Sequence, residues 1–464
     1  MSRYKDFDDD YEYEEEYEET PYRRSSRYVE EEEPPYIHKS RYVSDDEPIY
    51  AYTKRRNYEY YEEEYEEEDP YIRRPKRPAN KKKRKRRKLI AVMFVVEFLL
   101  AIVLLGVWYL TSKLEKIEHD PIDRDAIMIN NIDDNTKEIL SGYKNILLLG
   151  SDARNSNVEE LGKTEENHTD AMLILSINVN TKEARLVSVY RDMIMRIPID
   201  ENNNKVCYNK ATEAMYYYGA ESTINMLNTN LDLDITDYVL VNWEAVIQLV
   251  DAVGGIDGVV IDEEERYWIN QYMADTAKNT GRDMDYPLVE ETGSVHLNGL
   301  QATAYCRIRA TQGWDYRRTE RQRTVITKIF EKVKKFSPSQ INKVLDAVCS
   351  NILTSISNSD LISLAMDAPK YQLTKTGGFP FETIDGIANI TGLQLVDPVL
   401  ANNLSYNVSQ LHKYLFDVND YSPSYTVQEI SREMAGFKYT TYDDDEKEEI
   451  YNKKPNEGHS NGEE

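Results

Sequence analysis

Residues 145–150 read NILLLG, residues 171–179 read AMLILSINV and residues 184–190 read ARLVSVY, and these three apolar runs decide the fold. Each run has the length and character of a buried strand. The turn-rich segment 178–182 separates the second run from the third, which predicts an antiparallel hairpin.

Helical patterns follow the three predicted strands at Lys210–Asn230 and Trp243–Val253. Strand-like runs at Val239–Asn242 and Gly258–Asp262 lie around the second of these helices. Strands that alternate with helices in this order predict an α/β sandwich.

Charged residues stand where the predicted strands begin or end. The first strand runs into Ser151-Asp152-Ala153-Arg154, the second is entered through His168-Thr169-Asp170, and the third runs out into Arg191-Asp192. In an antiparallel hairpin the start of one strand lies beside the end of the next, so Asp170 and Arg191 should be neighbours. If the first strand is parallel to the third, Asp152 reaches the same edge. Two carboxylates and an arginine can hold a divalent metal and a phosphate together, whereas surface ion pairs are the alternative explanation.

A second cluster of cations follows in the runs LNGLQATAYCRIR (297–309) and GWDYRRTERQR (313–323). Arg307 and Arg309 are two residues apart, so an extended backbone would place them on one face. A helix is predicted to start near Thr319, and Arg318 and Gln322 then share its apolar face and point inward at its N-terminus. Several arginines converging on a helix N-terminus predict a pocket for a polyanion, with pyrophosphate as the natural candidate.

The N-terminal side of the chain indicates a membrane anchor. Residues 81–88 read KKKRKRRK, and residues 89–110 read LIAVMFVVEFLLAIVLLGVWYL. That apolar run is long enough to cross a hydrocarbon core of about 30 Å. The cations on its N-terminal flank keep that end in the cytoplasm, so the C-terminal portion should lie outside the cell. Glu97 inside the run is interpreted either as a contact with another membrane helix or as a tolerated neutral carboxyl.

Composition separates the N-terminal tail from the rest of the chain. The chain has 464 residues, a formal net charge of −26 and 36 tyrosines against nine phenylalanines. Residues 1–80 repeat a Tyr/Glu theme and lack leucine, so we expect them to be disordered. They are interpreted as a solvated tail or as a docking tail for a cytoplasmic partner, such as a tyrosine kinase. The acidic balance argues against general nucleic-acid binding.

Taken together, these features give the predicted organisation of the chain. The predicted segments are a disordered cytoplasmic tail (1–80), a basic juxtamembrane run (81–88), one transmembrane signal anchor (89–110), a stalk (111–142), a globular α/β region and an acidic disordered tail (438–464). The family resemblance described next implies that the globular region comprises a catalytic domain (143–338) and a C-terminal extension (339–437).

The motifs together resemble the LytR–CpsA–Psr family. The resemblance rests on NILLLGSDAR, HTDAMLILSIN, SVYRDMIMRIP, the HLNGLQATAYCRIR run and the D-x-x-RTERQR helix start, and it covers about Tyr143–Phe336. It implies an α/β/α sandwich around a mixed sheet, with a pocket for a lipid pyrophosphate assisted by Mg²⁺. Family members attach glycopolymers carried on polyprenyl pyrophosphate, such as teichoic acids or capsule, to peptidoglycan outside the membrane.

Residue by residue, the resemblance assigns roles to positions of this chain. Asp152 and Asp170 match carboxylates near the metal and the attacking hydroxyl, and Arg191 and Asp315 complete the implied catalytic set. The implied pyrophosphate ligands are Arg154, Arg191, Arg307, Arg309, Arg318 and Gln322. The chain departs from the family at His168, where many members have arginine, and this puts one phosphate contact in doubt.

The activity implied is transfer of a glycosyl phosphate to a sugar hydroxyl, with polyprenyl phosphate as the leaving group. A polyprenyl-pyrophosphate hydrolase and a non-catalytic membrane-anchored regulator or scaffold are the alternatives. Met215, Met226 and Leu227 are candidates by residue type alone for an apolar slot that takes the lipid, and such residues are more often plain core.

The three cysteines are too few for a disulfide-built scaffold. Outside the membrane a Cys207–Cys306 disulfide is predicted, with three free buried thiols as the alternative. Cys349 lies in an amphipathic stretch and is predicted to be a core thiol.

Overall fold

The computed structural model describes residues 112–152, 162, 168–199, 205–385, 387–390, 393–395 and 398–440, together with scattered residues between 85 and 109. In these ranges no helix is both long enough and apolar enough to cross a membrane. The predicted tail 1–80 and residues 441–464 lie outside the described residues, and the predicted basic run and anchor (81–110) are described only in part. Those assignments stay predictions.

The described part of the chain alternates strands and helices. Its helices are α1 (Asp134–Ser141), α2 (Thr212–Leu231), α3 (Trp243–Ala252), α4 (Glu263–Asn279), α5 (Gly299–Arg307), α6 (Trp314–Val333), α7 (Pro338–Val348), α8 (Asn358–Asp367), α9 (Leu404–Phe416) and α10 (Tyr425–Ala435). Its strands are β1 (Glu118–His119), β2 (Tyr143–Ser151), β3 (Thr169–Asn178), β4 (Glu183–Val189), β5 (Ile194–Pro198), β6 (Val206–Lys210), β7 (Asp237–Val241), β8 (Ile256–Ile261), β9 (Gly293–Leu297), β10 (Ile352–Thr354), β11 (Gln372–Phe379), β12 (Thr383–Asp385), β13 (Ile387–Ile390), β14 (Leu393–Leu395), β15 (Val399–Ala401) and β16 (Lys438–Thr440).

A seven-stranded mixed sheet, in the order β1-β10-β7-β2-β3-β4-β11, forms the centre of this region. The predicted hairpin is confirmed, because β3 and β4 pair antiparallel with Leu175 opposite Leu186. β2 is antiparallel to β3, so β2 and β4 run in the same direction on either side of it. β7 and β11 extend the sheet as parallel neighbours of β2 and β4.

The two faces of the sheet are covered by different helices. Leu147, Ile174 and Val187 point to one face, where they pack with buried residues of α2, α9 and α10. Ile177 points to the other face and packs with Phe330 of α6. Successive strand residues alternate between faces, so the short apolar runs can cover both layers. The predicted α/β/α sandwich around a mixed sheet is confirmed.

Segments that the sequence placed outside the catalytic domain belong to this sheet. β10 and β11 lie in the predicted C-terminal extension (339–437), and β1 lies in the predicted stalk. Lys438–Thr440, assigned to the acidic tail, pairs with β13 as β16. These partners are far apart in the chain, and local hydrophobic pattern carries no information about such pairing.

The cysteines are free, so the predicted Cys207–Cys306 disulfide is wrong for this structure. Cys207 packs at the margin of the core under α2, whereas Cys306 packs among the residues of α3 to α6. Cys349 is buried beside Leu114 and Ile117, which confirms it as a core thiol.

Met215, Met226 and Leu227 are buried in the main core on the α2 face of the sheet. All three contribute to ordinary core packing there. Their suggested part in a lipid slot stays a prediction.

Candidate active site

Six backbone segments bring their polar residues to one edge of the sheet. β2 ends at Ser151, which pairs with Thr169 at the start of β3, and β4 ends at Val189 just before Arg191. Helix α2 starts against the same edge, because the Thr212 N–H donates to the Arg191 carbonyl (3.0 Å) and its hydroxyl donates to the Thr169 carbonyl (3.0 Å). The remaining two segments are the α5–α6 loop and the first turns of α6, which carry Arg309 and Arg318.

Asp170 is the centre of the cluster. Its carboxylate accepts from Arg191, lies 2.9 Å from Arg309 Nη2 and lies 3.4 Å from Arg318 Nη1. Burial alone would raise the pKa of Asp170, but the charges of Arg318, Arg309 and Arg191 outweigh burial and hold that pKa well below its usual range. Asp315 and Asp192 also pair with Arg318 and Arg191, so the charges of the cluster nearly balance. What the cluster offers an anion is several guanidinium donors that meet at one point.

Helix α6 supplies the inward-facing groups that the sequence predicted. Arg318 is 2% exposed, and its Nη2 donates to the Asp170 carbonyl (3.1 Å) and pairs with Asp315 Oδ1 (2.7 Å). Gln322 lies one turn later on the same helix. The helix starts earlier than predicted, at Trp314 rather than Thr319, so Arg318 lies within its first turns rather than just ahead of it.

Several polar atoms on α6 are buried and find no hydrogen-bond partner within the described part of the chain. They are Asp315 Oδ2, Arg318 Nε, Gln322 Oε1 and Arg323 Nη1. Buried polar atoms are normally paired, and an unpaired one indicates strain or a site for a polar ligand. Asp315 and Arg318 belong to the Asp170 cluster, so their two unpaired atoms favour a polar ligand there.

Asp152 is tied to the start of β3. Its Oδ1 accepts the His168 backbone N–H (2.9 Å), and its own N–H donates to the His168 carbonyl (3.1 Å). Burial, with a further contribution from the charge of Asp170, raises the pKa of Asp152. The carboxylates of Asp152 and Asp170 therefore lie close enough to interact electrostatically. Their surroundings shift the two pKa values in opposite directions, upward for Asp152 and downward for Asp170. The His168 ring stacks on Tyr216 of α2, with ring centroids 4.1 Å apart.

Two site residues were missed by the sequence reasoning. Asp192 lies 3.3 Å from Arg191 Nε, and Lys210 Nζ lies 2.7 Å from Asp192. Asp192 follows Arg191 directly in the chain, so the Arg-Asp pair was the available signal. Nothing in the local pattern at the end of β6 pointed to Lys210.

Arg307 does not share a face with Arg309 as predicted. It is the last residue of α5 rather than part of an extended segment, and its guanidinium lies 3.6 Å from the centroid of the Trp243 ring. Its Nη2 pairs with Asp275 (2.6 Å) and its Nη1 donates to Thr276 (2.6 Å).

Arg307 nevertheless stays near the same edge of the sheet. Trp243 follows β7 closely, and β7 runs parallel to β2 and ends beside it. Arg307 therefore stacks on the first residue of α3, just beyond the end of the strand that neighbours β2. Arg154, the remaining predicted pyrophosphate ligand, lies outside the described residues.

Comparison with known proteins gives three findings. Biofilm regulatory protein A of Streptococcus mutans is 32% identical over 263 residues, which cover 54% of this chain and 60% of that relative. The polyisoprenyl-teichoic acid–peptidoglycan teichoic acid transferase TagU of Enterococcus faecalis is 29% identical over 262 residues, covering 56% of this chain and 75% of TagU. The crystal structure of TagT from B. subtilis aligns with a TM-score of 0.43 at 22% identity, covering 62% of this chain and 95% of TagT.

The first of these relatives is matched over less than two thirds of its own length. A broader comparison uses the model of a whole family, and the LytR_cpsA_psr family model matches residues 104–396. That match spans more than half of the chain, from before the central sheet to beyond β11. The chain belongs to the LytR–CpsA–Psr family.

Proposed function

We propose that this chain is an extracytoplasmic phosphotransferase that attaches a polyprenyl-pyrophosphate-linked anionic glycopolymer, of teichoic-acid or capsule type, to peptidoglycan. The observation that carries the proposal is the convergence of Arg191, Arg309 and Arg318, from three separate elements, on Asp170. Arginine is the side chain best suited to bidentate phosphate binding. The TagU relative is named as a teichoic acid transferase, which supports the same reaction class.

The two carboxylates, Asp152 and Asp170, have different roles in the proposed reaction. The hydroxyl oxygen of an acceptor sugar attacks the phosphorus that bears the glycopolymer, the P–O–P bond breaks, and polyprenyl phosphate leaves. The arginines stabilise the negative charge that develops on the leaving phosphate. Asp170 is a weak base because those same arginines stabilise its ionised form. Asp152, whose pKa is raised by burial, is the better acceptor for the proton of the attacking hydroxyl.

Mg²⁺ belongs to the proposal as a second source of positive charge. In the part of the chain that the structure describes, no group of three or more His, Cys, Asp or Glu residues lies close enough to hold a metal ion. Mg²⁺ is commonly held by one or two carboxylates, with substrate phosphates and water completing its octahedron. Asp152 and Asp170, which interact electrostatically, fit that smaller donor set. When bound, the ion would polarise the phosphate.

The location follows from the sequence and is part of the same proposal. A single-pass anchor at residues 89–110, with the basic run on its cytoplasmic side, would hold the catalytic domain outside the cell membrane. There it would meet a lipid-linked donor at the membrane surface and peptidoglycan beyond it. A cytoplasmic partner for the Tyr/Glu-rich tail is a separate part of the proposal.

The test is a transfer reaction with the purified full-length chain. Lipid-linked glycopolymer and soluble peptidoglycan oligomers are mixed with the chain, and ligated product and released free polymer are measured separately. We expect ligated product, lost in Asp152→Asn. Release of free polymer without peptidoglycan would indicate the hydrolase instead.

Absence of both products, with lipid still bound, would favour a non-catalytic regulator. The Streptococcus mutans relative is named as a regulatory protein, so that outcome is worth testing. Mass spectrometry of lipid that co-purifies with the chain separates binding from turnover.

A further inference from the structure

The loop between α5 and α6 carries one of the three arginines at Asp170. Arg309 follows the end of α5 by two residues, and its side chain is 43% exposed. We propose that two buried residues outside the pyrophosphate cluster, Arg321 and Glu265, are positioning residues that hold this loop so that Arg309 reaches the site. The inference rests on the proposed function, because it concerns how the same pocket is assembled.

The contacts of Arg321 fall on both sides of Arg309. The Arg321 side chain is 2% exposed, its Nη1 donates to the Ile308 carbonyl (3.1 Å), and its Nη2 donates to the Thr311 hydroxyl (2.6 Å). One rigid guanidinium therefore fixes the residue before Arg309 and the residue two places after it. Only a planar fork with several donors can hold both acceptors at once.

Glu265 fixes Arg321 in turn. It is 4% exposed, and its Oε1 accepts from Arg321 Nε (2.9 Å). Its other carboxylate oxygen accepts the Asp262 N–H (3.4 Å), while its own N–H donates to Asp262 Oδ1 (2.7 Å), so that the pair caps the N-terminus of α4. Arg321 and Glu265 thus connect the loop to the capped N-terminus of α4.

Positioning is needed because Arg309 lies next to like charges. Arg191 and Arg318 contact the same Asp170 carboxylate and repel the third guanidinium. A partly exposed arginine on a free loop would reduce this repulsion by swinging into water. A buried Arg–Glu pair contributes little net stability, since desolvation of both charges offsets their attraction. The main effect of the Arg321–Glu265 pair is therefore to fix the geometry of the loop.

The experiment measures binding of geranyl pyrophosphate to the full-length chain in detergent by calorimetry. Thr311→Val removes the acceptor for Arg321 while keeping the shape of the side chain, and we expect binding to weaken about tenfold. Thr311→Ser keeps the hydroxyl and should restore most of the affinity. Arg321→Lys keeps the charge without the fork and should weaken binding at least as much. Melting temperatures identify any variant that has lost its fold.

A double-mutant cycle separates positioning from general stability. In an Arg309→Ala background, Thr311→Val should have no further effect on binding, because the loop then has nothing to deliver. The matched control is Thr327→Val. The Thr327 hydroxyl donates to the Arg323 carbonyl within its own helix, so this variant should bind geranyl pyrophosphate normally.

Three results would count against these assignments, and they can be told apart. Equal losses from Thr311→Val with and without Arg309 would mean that the Arg321 contacts act on the whole fold, which overturns the positioning role. Unchanged binding in Thr311→Val would overturn it as well. Unchanged binding in Arg309→Ala would instead overturn the pyrophosphate site on which the proposed function rests.

Discussion

At the scale of single residues, Arg318 is the most informative position. It is almost fully buried, and it contacts both the carboxylate and the carbonyl of Asp170 as well as Asp315. Arg318→Lys keeps one charge but cannot make this set of contacts. We expect kcat/KM for transfer to fall by about 30- to 1000-fold, equivalent to about 2–4 kcal/mol of transition-state stabilisation.

The control is an arginine that lies elsewhere in the same chain. Arg432 is on α10, exposed, with its guanidinium 5.7 Å from the centroid of the Tyr425 ring. Arg432→Ala should transfer at close to the normal rate, because exposed pairs contribute little. If Arg318→Lys and Arg432→Ala had the same activity, Arg318 would not bind the pyrophosphate.

At the scale of secondary-structure elements, His412 connects α9 to α2. Its Nε2–H donates to the carbonyl of Leu231, the last residue of α2 (3.0 Å), and its ring stacks on Tyr421. Burial lowers the pKa of His412 to about 4. Between that value and the pKa of about 6.5 in the unfolded chain, only the unfolded state binds the proton. The contribution of His412 to the free energy of unfolding is therefore fully present above pH 6.5, and it is lost as the pH falls towards 4.

Denaturant unfolding at two pH values tests this link. From pH 7.5 to pH 5 the free energy of unfolding should fall by about 2 kcal/mol because of His412. His412→Gln should lower stability at both values and remove that pH-dependent part. His296 is exposed and pairs with Asp257 at the surface, so the control His296→Gln should change stability at pH 7.5 much less than His412→Gln does. A pH dependence unchanged in His412→Gln would contradict the assignment.

Strand β11, at the edge of the sheet, has room only for glycine at position 378. A Cβ added at Gly378 would collide with the hydroxyl end of Tyr190, whose ring packs edge-on against Tyr316 of α6. We expect Gly378→Ala to cost about 1–3 kcal/mol of stability, as overpacking typically does. Gln372→Ala, an exposed position on the same strand, should be near neutral. Equal melting temperatures for the two variants would argue against close packing at Gly378.

Some features of the fold and the site were predictable from the sequence, and others were not. The β3–β4 hairpin and the pairing of Asp170 with Arg191 were predictable because a short turn joins these adjacent strands. Asp152 was placed at the same edge only on the condition that β2 runs parallel to β4, and the structure meets that condition. The position of Arg307 was predicted wrongly, although Asn298 and Gln301 form a capping box that is a local signal for a helix leading to Arg307. Its contact with Trp243 joins residues far apart in the chain and has no such signal. The Arg321 contacts were equally hidden, since they join residues that no sequence periodicity relates.

At the scale of the whole molecule, the central sheet takes strands from both sides of the predicted boundary at residue 338. β10 pairs with β7, and β11 pairs with β4. Beyond that boundary, α9 and α10 also contribute fully buried core residues such as Val408 and Ile430. A fragment of residues 112–338 should therefore be unfolded or aggregated, whereas 112–440 should unfold cooperatively by near-UV circular dichroism. A cooperative transition in the shorter fragment would contradict the assignment of these strands to one folding unit.

The orientation of the chain in the membrane is the prediction on which the proposed location depends. Eight consecutive cations at 81–88 precede the apolar run 89–110, and such a charge bias keeps the N-terminal flank in the cytoplasm. Protease added to intact protoplasts of a Gram-positive host should then digest residues 210–437 and spare an epitope tag at Met1. Permeabilised protoplasts, in which both ends are accessible, provide the control. Loss of the N-terminal tag from intact protoplasts, with the C-terminal region protected, would place the arginine cluster in the cytoplasm, where it could not meet peptidoglycan.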